Sequence, residues 1–414
     1  MRKTFLTSAI SAAALLLTSC GGDGGSNDFG GTPSPSPSPT PTPSPVDGNG
    51  GAYTAPAQES LSVTDVQTII AQAVGEATAR NLPSVIAVTD RVGNVLAVFE
   101  MNGARPTATT SARTALGAIN NPLVDVQGVE VPAAAGAIAK AVTGAYLSSA
   151  GNAFSSRTAS QIVQEHFPPA PTTAGLESGP LFGVQFSQLP CSDFNQRFGN
   201  IGTAALIGPK RSPLGLSADP GGLPLYKNGV VVGAIGVMGD GDYGFDPNIL
   251  DIDDDDEEAI ALAGIQGFAP PAAVTANRIS VDGTQLRFSD VVVSDLSPLQ
   301  SNYAAISGTA GNLIAVKGYA ANVIITGSAY GTEASGIRSS TATEFKNRDA
   351  FVLSDGAGTN RFPIRGATDG ASVTTPLTAA ETRAILEEAF IIMSRARAQI
   401  RQPLDSRAQV SISI

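Results

Sequence analysis

The strongest periodicity in the chain runs from Leu61 to Arg80. Val66, Ile69, Ile70, Ala73, Val74 and Ala77 recur there at the i, i+3, i+4, i+7 spacing of a helix that buries one face. Ser62 and Asp65 stand at capping-box spacing, and Leu61 is placed to staple onto Val66. Two apolar runs, Ser84–Thr89 and Val95–Phe99, flank the polar turn Asp90-Arg-Val-Gly93-Asn94, which predicts an antiparallel hairpin. Alanine-rich stretches at 108–119 and 133–150 read as helices. Leu223–Tyr226 and Val230–Met238 then form a second strand pair around the tight turn Asn228-Gly229, and Ala259–Gly267 closes the unit as a short helix.

The first of these patterns returns near the C-terminus. Leu377-Thr-Ala-Ala-Glu381 repeats the capped start at 61–65, and Ile385, Leu386, Ala389, Phe390 and Met393 repeat the apolar order of Ile69 to Ala77. Val410-Ser-Ile-Ser-Ile414 reads as the first strand of another hairpin. The segment between the copies is turn-rich. It predicts a hairpin from Arg278–Val281 and Gln285–Val293, with later strands at Leu313–Val316 and Asn322–Thr326.

Composition narrows the chemistry. Of 414 residues, 25 are basic and 36 acidic, for a net charge of −11, which argues against a protein that grips nucleic acid. One His and two Cys exclude a histidine-cluster metal site, Cys₄ zinc and a disulfide framework. No Cys-x-x-Cys-His supports covalent haem attachment and no G-x-S-x-G supports a nucleophile elbow. Gly239-Asp-Gly241-Asp-Tyr-Gly244 fits G-x-G-x-x-G, yet Asp240 and Asp242 would repel a pyrophosphate and Pro247 interrupts the helix it needs. The acidic run Asp251–Glu258 lacks the EF-hand glycine and reads as helix capping and a solvated face, beside a weak divalent-ion alternative with Asp240, Asp242 and Asp246.

The N-terminus reads as an export signal over residues 1–20. Arg2 and Lys3 precede an apolar run, Phe5 to Leu17, too short to span a bilayer as a mature helix. Leu17-Thr18-Ser19-Cys20 resembles the bacterial lipobox, which makes Cys20 the lipidation site. Gly21 after it implies sorting to the outer membrane, facing the periplasm. Residues 21–57, with alternating prolines from Pro33 to Pro45, are a semi-rigid tether that buries nothing.

Several stretches together resemble the GlcG/HbpS family of haem-associated domains. They are Ala87-Val88-Thr89-Asp90, Gly93-Asn94-Val95-Leu96, Met101-Asn102-Gly103-Ala104, Lys140-Ala141-Val142-Thr143, Pro180-Leu181-Phe182-Gly183, Gly221–Leu225, Asn228–Val237 and Asp256–Ala261. The resemblance covers 58–268 as a full domain and 377–414 as a truncated second repeat (helix plus first strand), with 269–376 as a β-rich elaboration. It implies an α/β fold: a profilin-like sandwich with an antiparallel sheet and flanking helices, in a family commonly assembled into oligomers, which leaves a homo-oligomer open. The stretches 105–136, 167–179 and 192–220 are longer than in compact members, which puts the ligand face in question.

Haem is the implied cofactor. His166, the only histidine, reads as its axial ligand or as a helix-end side chain on terminal carbonyls. Met101 reads as a thioether ligand or core filler, and Lys140 and Arg157 as partners of haem propionates or as structural ion pairs. Cys191 reads as a reactive or a buried thiol. The leading expectation is a membrane-anchored periplasmic haem-binding module without turnover. The alternatives are an enzyme acting on haem or a small oxygenated metabolite, and an interaction protein docking a partner through the partial repeat.

Overall fold

Ser62 begins the first helix as its sequence predicts: its hydroxyl accepts from Asp65 N at 3.1 Å while the Asp65 carboxylate accepts from Ser62 N at 2.8 Å. The computed structural model describes residues 57–110, 113–114, 117–118, 128–164, 168, 208–246, 248–300, 302–341, 343–345, 350–395 and 410–414. The helices of eight or more residues are α1 (Val63–Ala79), α2 (Ala133–Leu147), α3 (Ser156–Val163), α4 (Asp256–Gly264) and α5 (Ala379–Arg395). The strands used below are β1 (Val85–Asp90), β2 (Val95–Met101), β3 (Thr107–Thr110), β4 (Glu130–Pro132), β5 (Gly222–Lys227), β6 (Val230–Met238), β7 (Asp242–Tyr243), β8 (Gly311–Leu313), β9 (Ile337–Ser339) and β10 (Phe351–Leu353). All the described residues lie in one compact unit, Pro45–Ile414, and no helix among them is long and apolar enough to cross a membrane.

The centre is a five-stranded antiparallel sheet in the order β8-β2-β1-β6-β5. Side chains alternate across it as strand geometry requires. Ile86, Val88, Leu96, Phe99, Ile235 and Val237 face a core shared with α1 and α4, whereas Val85, Ala87, Val95, Val98 and Met238 face α2. The expected α/β sandwich with helices on both faces is therefore present. Helix α2 comes unusually close to the sheet because the contact is built from small residues. A methyl group on Gly236 would strike the Ala137 carbonyl oxygen and lie 2.5 Å from Ala141 N, and one on Gly144 would lie 3.0 Å from Ala234 Cβ.

Several expectations need correction. The stretch 108–119 is not helical: Thr107–Thr110 pairs with β4 and β7, and Arg113–Thr114 pairs with Gly117–Ala118. Threonines that lose χ1 freedom in a helix, and no apolar stripe to bury, explain the outcome. Helix α2 stops at Leu147 because Ser148 turns to an extended conformation. The strand expected over Gln285–Val293 shrinks to Thr284–Gln285, paired with Ser280–Val281, since Leu286, Phe288 and Val291 drop into the α1 core instead. The strand expected over Leu313–Val316 lies instead at Gly311–Leu313, and neither Asn322–Thr326 nor Val410–Ile414 forms a strand.

The middle region belongs to the domain rather than decorating it. Strand β8 adds an edge to β2, Ile314 N donates to Val98 O at 2.9 Å, and Gly327 N donates to Leu61 O at 2.8 Å. Helix α5 keeps the predicted cap, with Thr378 N 2.8 Å from the Glu381 carboxylate. Its burden differs from that of α1, however: Ile385 is 47% exposed where its counterpart Ile69 is fully buried.

The close approach of α2 is testable. Gly236→Val is expected to cost at least about 3 kcal/mol, because both backbones must move apart. Gly229→Ala, at φ +77° with open space around it, should cost only about 1 kcal/mol through backbone conformation. Urea denaturation of the two variants checks the order, and equal costs would overturn the packing account.

Candidate functional site

Strand β1 ends in Asp90, whose buried carboxylate is held entirely by N–H donors. Oδ1 accepts from Val92 N (3.1 Å) and Asn94 N (2.9 Å); Oδ2 accepts from Asn94 Nδ2 (2.7 Å) and Ser328 N (3.0 Å). Burial pushes its pKa up and these donors pull against that shift. One carboxylate thus shapes the β1–β2 turn and ties Ser328 to it. On the turn, the Arg91 guanidinium stacks 3.8 Å from the centroid of the Tyr330 ring, which packs in turn on Phe351 at 5.1 Å.

Arg91 and Tyr330 line a cavity of about 1370 Å³ whose wall also includes Tyr146, Phe351, Phe390 and Met393. Its surroundings are mostly apolar and aromatic, with Arg91 and Arg383 as cations and Glu59 and Glu344 as anions. The volume exceeds the roughly 300–1,000 Å³ usual for a small-molecule site. Helix α5 supplies one side of it, fastened by Arg383 donating to Glu344 O at 2.6 Å and by Phe390 packed at a tilt against Phe345, ring centroids 4.7 Å apart.

The residues chosen from sequence lie elsewhere. Met101 is a core side chain at the β2 end, its sulfur accepting from Ser84 N at 3.5 Å. Lys140 is fully buried on α2, its ammonium 2.7 Å from Asp219 Oδ2 and also paired with Glu257. Arg157, at the start of α3, is equally buried and fans across Asp246 (2.9 Å), Asp253 (2.8 Å), Glu258 (3.4 Å) and Asp290 (3.4 Å). None of the three touches the cavity. Both cations are committed to internal carboxylates, which accounts for their place in the fold without an external ligand. His166, Cys20 and Cys191 lie outside the described residues.

The acidic run proves more than a solvated face. Asp255 caps α4 by accepting from Glu258 N at 2.8 Å, as expected, but Glu257 and Glu258 turn inward. Glu257 also receives Gly239 N and Asp240 N, fixing the turn after β6. Among the described residues the carboxylates close enough to share a metal ion are Asp246, Asp251 and Asp253, not the set Asp240, Asp242 and Asp246. The Arg157 guanidinium already bridges Asp246 and Asp253. Burial opposes the charge on Lys140, yet Asp219 and Glu257 outweigh it and hold the ammonium protonated. Burial in turn pushes Asp219 up to about 8 and Glu258 up to about 7, against the pull of Lys140 and Arg157 respectively.

Residues 61–116 match the family described as haem degrading protein HbpS-like. This stretch contains α1, β1, β2 and β3, and with them Asp90 and Arg91, so the resemblance read from sequence is borne out there. Among solved structures the chain is similar to Klebsiella pneumoniae protein ORFY, with 17% identity over 52% of this chain and 94% of that one, at a TM-score of 0.28. It is similar also to PduOC in complex with haem, with 16% identity over 51% and 96% at a TM-score of 0.28. A double mutant of Streptomyces reticuli HbpS gives 18% identity over 55% and 98% at a TM-score of 0.27. Superpositions this loose carry no argument about ligand or site. No curated protein matches the chain.

The raised carboxyl groups set a pH dependence. Ordinary Asp and Glu release their protons near pH 4, so between about pH 4 and 8 the folded chain holds protons that the unfolded chain has lost. The unfolding free energy should therefore fall as pH rises, by up to about 1.4 kcal/mol per pH unit for each retained proton. Thermal melts from pH 5 to 8 should show a declining Tm, with a shallower slope in Asp219→Asn. A Tm that climbs with pH would refute the assignment.

Proposed function

We propose that this chain is a membrane-tethered extracytoplasmic module that binds haem in the cavity between the β1–β2 turn, α2 and the C-terminal segments. The HbpS-like match over 61–116 carries the reading, because it includes Arg91 and Val92, which stand on the cavity wall. The donor chemistry suits the group. Apolar and aromatic side chains suit a flat macrocycle, while Arg91 and Arg383 offer guanidinium partners for its carboxylates. Bound haem would supply an iron centre for gas, redox or storage chemistry. The protein's share is to exclude water from the macrocycle and to orient it between the aromatic walls.

The tether reading completes the placement. Acylation at Cys20 would hold the chain at the membrane through several lipid chains, each buried CH₂ contributing about 0.8 kcal/mol.

Two measurements test these proposals. Haemin added to the purified protein should give a saturable Soret shift with one equivalent bound; no saturable shift would remove haem as the ligand. Biliverdin released on adding a reductant would instead establish turnover. Expression with labelled palmitate should mark the wild type and leave Cys20→Ser unlabelled; equal labelling would refute the anchor.

A further inference from the structure

We infer that Lys140 and Asp219 condense into an intramolecular amide bond, a covalent staple between α2 and the segment leading into β5, with Glu257 relaying protons between them. The inference is independent of the haem reading.

The groups are placed as such a reaction requires. Lys140 is fully buried, its Nζ lies 2.7 Å from Asp219 Oδ2, and Asp219 and Glu257 are buried beside it. In water an ammonium and a carboxylate remain hydrated ions. Here burial removes that hydration, so each charge is costly to keep. The fold also holds amine and carboxyl in contact, which turns a bimolecular encounter into an intramolecular one. The lysine backbone is wedged in place: Gly236 packs against its Cβ and Gly222 against its carbonyl oxygen, at positions where a methyl group would have no room.

What else binds the two acids decides which of them is the electrophile. Glu257 Oε1 accepts from Asp240 N at 3.1 Å and from Gly239 N, while Oε2 pairs with Lys140. Among the described residues Asp219 Oδ2 meets no donor besides Lys140, so no backbone N–H restrains it from leaving. Asp219 is therefore attacked, and Glu257, in contact with the same nitrogen, is the catalytic residue that moves the proton.

The reaction balances within the cluster. A proton crosses the hydrogen bond from the ammonium to the Asp219 carboxylate, giving a neutral amine and a carboxylic acid. Burial, which pushes Asp219 up to about 8, favours that acid. The amine nitrogen then attacks Asp219 Cγ. Glu257 relays a second proton from nitrogen to the departing hydroxyl. The C–O bond breaks, the Cγ–Nζ amide forms and one water leaves, with nothing oxidised or reduced. The pH dependence described above is that of the chain before closure, because the amide removes both titrating groups. Closure restricts the unfolded chain as a disulfide would, in a sequence whose two cysteines supply no such framework.

Peptide mass spectrometry of the purified full chain, incubated at neutral pH and digested with trypsin, tests the bond. Residues 114–157 and 212–227, which hold Lys140 and Asp219, should appear joined in one branched peptide, lighter than their sum by one water. Glu257→Gln should lower the joined fraction at least about tenfold, and Lys140→Arg, which keeps the charge but not the nucleophile, should abolish it. Circular dichroism confirms that each variant folds. If the wild type yields only the two separate peptides, the bond does not form and the inference fails. If 114–157 is instead joined to 228–278, the acid is Glu257 and the assignment of Asp219 fails. Both readings come from the wild type alone, so they decide the matter even where a variant does not fold.

Discussion

The buried carboxylate of Asp90 is the constraint on which the arrangement of this protein turns. Its two oxygens answer four N–H groups drawn from three places: the turn it begins, the Asn94 side chain, and Ser328, more than two hundred residues further along the chain. Hydrogen bonds to a charged acceptor contribute about 1.5–3 kcal/mol each, so a carboxylate satisfied in this way is a firm joint despite its burial. Without it the hairpin would still be specified by its apolar alternation. The long C-terminal half would lose its polar attachment at the β1–β2 turn, although β8 and the Leu61 carbonyl would still hold it elsewhere.

The other buried charges divide the labour differently. Lys140 and Glu257 sit where α2, α4 and the turn after β6 converge, and Arg157 gathers the acidic run before α4 against α3 and the middle region. The acids outnumber the cations around both centres, so protons are retained to balance them. Such clusters specify which loops meet rather than adding much net stability, because desolvation offsets most of the attraction. This explains how cations that look ligand-directed in sequence can be wholly internal in the fold.

Much of the architecture was legible beforehand, and for identifiable reasons. Helix α1, both hairpins and the caps at Ser62 and Thr378 follow from local periodicity and turn chemistry, which act over a few residues. The misreadings fall where tertiary burial competes with local pattern. Leu286, Phe288 and Val291 have strand-like spacing but sink separately into the α1 core. The site was less legible. In sequence Lys140 and Arg157 read equally as propionate partners or as structural ion pairs, because a sequence does not show that Asp219, Glu257, Glu258 and Asp290 surround them.

The C-terminal repeat shows the same logic from the other side. Its helix keeps the cap and the apolar order of α1, so local information is copied faithfully, but no second sheet among the described residues receives it. Leu386, Phe390 and Met393 therefore line the cavity instead of a core, while Ile385 and Ile392 remain exposed. A helix whose apolar face borders open volume is held less tightly than one sunk in a packed core, because a void forfeits contacts on one side. Filling that volume with a flat apolar guest would give α5 the packing that α1 obtains from the sheet.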